Sequence, residues 1–195
     1  MEGQDFPLAG GHGDPALSEL GRRQAQLVCD RLATERTDAI YVTSLRRTVE
    51  TIQPLVDRLG LGADVEADLR EIHLGTWEGG LMRQKIADSD PIAVQLLEQQ
   101  RWDVIPGAES SDDFGARVRA GIERITNAHP DQRVVVVIHG GTIAELLRQV
   151  TGSKPFAFLG ADNASISSIV VAPTGSSLRC FNDISHLGAT SGEMT

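Results

Sequence analysis

VVVVIHGGTIAELL, residues 134–147, is the stretch that decides the fold. Five consecutive β-branched residues, Val134 to Ile138, describe a strand buried on both faces, as parallel strands covered by helices are. The run ends on the ionisable His139. Gly140 and Gly141 follow, then a helix predicted from about Thr142 to Val150 and stopped by Gly152. A strand that feeds a helix through a tight turn is the unit of α/β domains, where ligands bind at the carboxyl ends of strands. Two glycines let a ligand approach the backbone, and the helix N-terminus offers free N–H groups and the positive end of its dipole. The stretch therefore predicts an anion site with an imidazole in it. A histidine that merely caps the turn is the plainer alternative.

Working outward, DAIYVT (38–43) reads as a second strand. Val49, Ile52, Val56 and Leu59 mark a helix from Arg46 to Leu59, which Pro54 should kink or restart and which Gly60 and Gly62 end. Arg46 and Arg47 open that helix, where cations are disfavoured unless an anion joins them. Two guanidinium groups beside helix N–H groups suit a phosphate, since arginine offers bidentate geometry. An exposed arginine pair is the alternative. Residues 64–69 suggest another strand leading into LREIHLGTWEGG, where Glu71 beside a bound phosphate would have a raised pKa and act as a general acid. His73 reads as an ordinary loop residue.

The remaining elements fill out the pattern. Residues 1–16 read as loop, and Ser18 as the N-cap of a helix to about Glu35. Residues 81–102 suggest one or two helices broken at Asp90-Pro91, with Arg83, Lys85 and Arg101 on a solvated face. Phe114, Val118, Ile122 and Ile125 mark a helix from about Ser111 to Ala128. SISSIVVAP and SSLRCFND read as a closing β-hairpin. Alternating strands and helices imply a three-layer α/β/α domain around a largely parallel central sheet. One domain spans 1–195, with 80–106 as a helical, cap-like insertion.

Composition narrows the function. At 195 residues, 41% hydrophobic and 23% charged, the chain has the make-up of a globular domain. A net charge of −9 argues against nucleic-acid binding, so any phosphate site must be locally basic. Cys29 and Cys180 lack metal-ligand spacing and read as free thiols of a reducing compartment. The first residues carry no signal-peptide pattern and no stretch is long enough to span a membrane, so a cytoplasmic location is expected. His129 sits at a helix C-terminus and His186 in a Gly- and Ser-rich tail; His12 lies in a loop that at most fringes a site.

Taken in order, these segments resemble the histidine phosphatase superfamily, also called phosphoglycerate mutase-like. DPALSELGRRQA (14–25) resembles its first-helix signature, TSLRRTVETIQPL (43–55) its second arginine motif and LREIHLGTWEG (69–79) its glutamate loop. IPGAESSDDFGARV (105–118) resembles its Pro-Gly-x-Glu-Ser segment, VVVVIHGGTIAELL its second histidine motif and NASIS (163–167) its late strand. The resemblance implies hydrolysis of a small phosphomonoester through a phosphohistidine, without metal or other cofactor. It makes Arg47 a ligand of the phosphoryl oxygens, with Arg46 and Gly140 beside it at the substrate. Glu71 becomes the acid for the leaving oxygen and His139 the stabiliser of the transferring group. A mutase-type phosphotransferase and a non-catalytic phosphate-binding relative are the alternatives.

The family's nucleophile belongs to an Arg-His-Gly motif at the end of a first, central strand upstream of the LSELG helix. Neither strand nor motif occurs here, and Gly11 precedes His12 where arginine should stand. By spacing, the nucleophile is expected just before Met1, and this chain alone should be a weak phosphatase or none. A sheet without its central strand leaves a neighbour unpaired, which should recruit another chain, giving a homo-oligomer, or lose stability.

Overall fold

The computed structural model describes residues 8–9, 11–172 and 174–188. Its centre is a parallel sheet of β3 (Ala39–Val42), β4 (Asp64–Val65) and β5 (Val134–Val137), ordered β4-β3-β5. Ala39 pairs with Val134 and Val42 with Val137, so both strands end at the same edge. A second, antiparallel pair joins β6 (Ile166–Ala172) to β7 (Gly175–Asp183). The stretch expected as loop contains a short antiparallel pair, β1 (Leu8–Ala9) with β2 (His12–Gly13); residues 1–7 and 10 of that stretch lie outside the described ones.

Alternation along the strands builds the layers. Ile40 and Val42 face one way and join Val135 and Val137 in a core made with α1 (Glu19–Leu32) and α2 (Arg46–Leu59), around Val28, Cys29, Ile52 and Leu55. Tyr41, Val134 and Val136 face the other way, against Leu69, Phe114, Val118 and Ile125. The helices α3 (Leu81–Ala87), α4 (Pro91–Gln99) and α5 (Ser111–Ala128) complete that second layer through Leu81, Ala93, Leu96 and Phe114. This is the three-layer α/β/α arrangement, with side chains of period two serving two cores.

Local chemistry sets the ends. Ser18 accepts from the Gly21 N–H at 3.1 Å and caps α1; Ser110 does the same for α5 through Asp113. Asp90 caps α4 ahead of Pro91. The helix α2 continues as one element through Pro54 and ends at Gly60 in the left-handed conformation. The predicted strand at 64–69 shrinks to β4, followed by a 3₁₀ turn at Ala67–Leu69 that Glu66 caps. Among the described residues no helix is long and apolar enough to cross a membrane.

Two findings bear on the site. The four valines of β5 are half-buried rather than buried, because β5 pairs only with β3 among the described residues, although helices cover both its faces. Gly75, in the glutamate loop, has φ +55° and lies so close to Pro106, Gly107 and Ala108 that a methyl group has no room. Gly75→Ala is expected to destabilise the protein by about 3 kcal/mol, from strain and overlap together, read as a lower urea midpoint. An unchanged midpoint would mean that the two loops are not pressed together.

Candidate active site

The parallel register brings Thr43, one residue past Val42, and His139, two past Val137, to the same carboxyl edge. His139 Nε2 lies 2.9 Å from Thr43 Oγ1. The hydroxyls of Thr43 and Thr48 are 3.1 Å apart, and the Leu45 N–H also donates to Thr43. His139 is 7% exposed, and burial drives its pKa well below the ordinary 6.5, with Arg47, His12 and Arg117 pushing the same way. It is therefore a neutral, oriented imidazole, and Thr43 is a site residue that the sequence reading missed. A threonine directly after a strand that pairs with the His139 strand was the available signal.

α6 (Gly140–Thr151) begins at the next residue, two earlier than expected. Its N-terminus was predicted to be an open anion site. In the structure the Glu71 carboxylate already occupies it, accepting from Gly141 N–H at 3.1 Å, Thr142 N–H at 3.1 Å and its neighbour Ile72 N–H at 3.0 Å. A carboxylate is the natural occupant of such a site. A methyl group on Gly141 would stand 2.6 Å from Glu71 Oε1, which is why this position is glycine. Burial raises the Glu71 pKa, outweighing these three donors and the nearby Arg47. Gly140 stays open, with nothing within 4 Å of where its Cβ would be.

The two arginines that open α2 diverge. Arg47 turns inward: its guanidinium donates to the Gly13 carbonyl at 2.8 Å, burial lowers its pKa, and Glu71, Asp14 and Glu78 partly restore it. Arg46 does not join the site. It pairs with Glu50 one turn along, with 58% of its side chain exposed, while its N–H donates to Asp14. The reason is helical geometry: consecutive residues lie about 100° apart around the axis, so only one of the pair can face the sheet edge. Asp14, not a ligand anion, supplies the negative group at this helix start.

The glutamate loop is held from below. Arg117 on α5 donates to the carbonyls of Asp68, Arg70 and Glu71 at 2.7, 2.6 and 2.9 Å and pairs with Glu109, which the His73 N–H also reaches. Glu78 accepts from Gly13 and Leu74 N–H, tying the β2 segment to the same loop. His12 is consequently 3% exposed, edge-on to His73 at 5.1 Å and 3.6 Å from Glu78, rather than at the fringe of a loose loop. His73, read as an ordinary loop residue, accepts from Gly75 N–H through Nδ1. His129 and His186 make local contacts, with Tyr41 and with the Ala164 carbonyl. Lys85 and Arg101 pair with aspartates, and Arg83 is exposed. Both cysteines are free thiols, Cys29 buried and Cys180 half-buried.

The buried imidazoles fix a sign for stability against pH. His139 and His12 both have lowered pKa values, so below 6.5 the unfolded chain binds more protons than the folded one. Stability is expected to fall as pH drops through 6.5. His139→Gln should flatten the fall, measured as urea midpoints between about pH 7 and 5. An equally steep fall in the variant would mean that His139 is not held neutral.

The profile of the histidine phosphatase superfamily (branch 1) matches residues 4–184. "Phosphoglycerate mutase-like protein 4" of Arabidopsis thaliana is 38% identical over 147 residues, covering 73% of this chain and 64% of its own length. The chain thus spans under two thirds of that relative. "Phosphoserine phosphatase 1" of Hydrogenobacter thermophilus is 31% identical over 178 residues, 90% of this chain and 84% of that one. A solved complex of mycobacterial glucosyl-3-phosphoglycerate phosphatase with inorganic phosphate superposes with a TM-score of 0.76 at 31% identity, covering 91% of this chain and 92% of that chain.

Proposed function

We propose, from the premise that the chain belongs to the histidine phosphatase superfamily, that it is a phosphomonoester hydrolase of small phosphorylated metabolites working through a phosphohistidine. The observation that carries the reading is the meeting of Arg47, Glu71 and His139 at one sheet edge, with Arg47 free of any ion pair among the described residues. Relatives whose names specify phosphoserine and glucosyl-3-phosphoglycerate support the substrate class.

In this reading a histidine nitrogen attacks phosphorus while the bond to the ester oxygen breaks. Glu71, whose pKa burial raises, gives its proton to the leaving oxygen. Water then attacks the phosphohistidine, the P–N bond breaks, and Glu71 takes the proton from that water as inorganic phosphate forms. Arg47, His139 and the Gly140 N–H hold the phosphoryl oxygens, and this positioning and charge neutralisation are most of what phosphoryl transfer asks of a protein. The helices α3 and α4 serve as the cap over the substrate.

The nucleophile of this reading is a further histidine, on an apolar strand ending in Arg-His-Gly that pairs with β5 along the edge that carries no partner among the described residues. His12 does not suit the role, being 3% exposed and packed between His73 and Glu78. In a protein that carries such a strand, His139→Ala is expected to slow turnover of an aryl phosphate about a hundredfold. A rate within a few-fold of the parent would remove His139 from the mechanism.

A further inference from the structure

The Thr43 hydroxyl meets Thr48 Oγ1, the Leu45 N–H and His139 Nε2, and one arrangement of hydrogens satisfies all of them. Thr48 Oγ1 lies 2.8 Å from the Leu45 carbonyl and 3.2 Å from the Thr43 carbonyl, groups that only accept, so its single hydrogen goes to a carbonyl. Toward Thr43 it is therefore an acceptor, both for the Thr43 N–H at 3.2 Å and for the Thr43 hydroxyl at 3.1 Å. That uses the one hydrogen of the Thr43 hydroxyl. Its oxygen is left to accept from the Leu45 N–H and from His139 Nε2, 2.9 Å away. Both threonines are buried, where two oxygens facing each other without a hydrogen between them are costly. The relay thus runs one way, from His139 Nε2–H to Thr43, to Thr48 and on to the Leu45 carbonyl.

With that direction, a neutral His139 meets an anion the wrong way round. A neutral imidazole has one N–H, and Thr43 holds it. Nδ1 has no hydrogen-bond partner among the described residues and offers a lone pair, which repels phosphoryl oxygens. Burial, Arg47 on α2, His12 on β2 and Arg117 on α5 all disfavour a second proton while the site is empty of anion. Glu71, on the Gly141 and Thr142 N–H groups across the start of α6, is another group beside the site that can take a proton.

We infer that Thr43, backed by Thr48, is a positioning residue that holds the His139 hydrogen on Nε2, so that a tetrahedral dianion binds together with one proton, taken up on Nδ1. The inference rests on the phosphoryl site proposed above. The bound anion then meets an imidazolium, whose Nδ1–H makes a charge-assisted hydrogen bond while Nε2–H stays on Thr43. When the anion leaves, the proton leaves with it and His139 returns to the neutral form that its buried place favours.

Sulfate is the probe, since it neither gains nor loses a proton near neutral pH. Calorimetric titration of the 195-residue chain in two buffers of different ionisation enthalpy counts the protons taken up. The parent is expected to take up about one per sulfate near pH 7, and its affinity to fall about tenfold per pH unit above that. Thr43→Val frees the ring to carry its hydrogen on Nδ1, so uptake should fall close to zero and the affinity become flat with pH. Thr43→Ser keeps the hydroxyl and should behave as the parent, and Glu71→Gln should leave the uptake in place; circular dichroism of each variant checks folding. Nitrogen NMR of the His139 ring in the free chain should show the Nε2–H tautomer. An Nδ1–H tautomer in the free parent, no uptake in the parent, or uptake lost in Glu71→Gln and kept in Thr43→Val would each overturn the inference while leaving the anion site standing. Failure of the parent to bind sulfate would instead overturn the phosphoryl site, and this inference with it.

Discussion

Arg47→Ala is expected to lower kcat/KM for an aryl phosphate about a thousandfold in a protein that carries the nucleophile strand. The guanidinium is half-buried, tethered to the Gly13 carbonyl and without an ion pair among the described residues, so it is available to whatever anion enters. Its neighbours are committed elsewhere: Arg46 is bound to Glu50 outside the site, and Arg117 is committed to Glu109 and three carbonyls. Lysine in its place should recover little, because a point charge cannot chelate two phosphoryl oxygens. Folding should survive the change to alanine, since among the described residues the side chain makes one hydrogen bond. Steady-state turnover with a circular-dichroism control measures the effect, and a loss under tenfold would place the phosphoryl group elsewhere.

Glu71→Gln separates the acid from the cap. The amide keeps one acceptor oxygen for the N-terminus of α6 but has no proton to give, so the loss depends on the leaving group. An alkyl phosphate, whose leaving oxygen needs protonation, should lose about a thousandfold and a nitrophenyl phosphate only about tenfold. Because burial raises the Glu71 pKa, the parent's rate on the alkyl substrate should hold above the usual carboxylate range and decline as pH rises past the raised value; the variant should lack that limb. Equal losses on both substrates would reduce Glu71 to a helix cap.

The reach of the sequence can be judged at particular residues. The helix Ser111–Ala128 and the break at Asp90-Pro91 were legible because apolar spacing, caps and proline each act within a few residues. The edge position of Thr43 and His139 follows from strand ends that share a register, which only pairing reveals. The divergence of Arg46 and Arg47 needed the orientation of α2 against the sheet, which two adjacent arginines do not encode. The occupation of the α6 N-terminus by Glu71 was hidden for another reason. It depends on a contact about seventy residues apart in sequence, held by Arg117 from a third element.

The central claim is that Arg47, His139 and the start of α6 form one phosphoryl site beside Glu71. Difference density from a crystal of the chain soaked in orthophosphate tests it most directly. The account predicts one tetrahedral anion bridging the Arg47 guanidinium, the His139 ring and the Gly140 N–H, with Glu71 still on Gly141 and Thr142. An anion bound instead at Arg46 and Glu50, or at the start of α6 with Glu71 displaced, would contradict it.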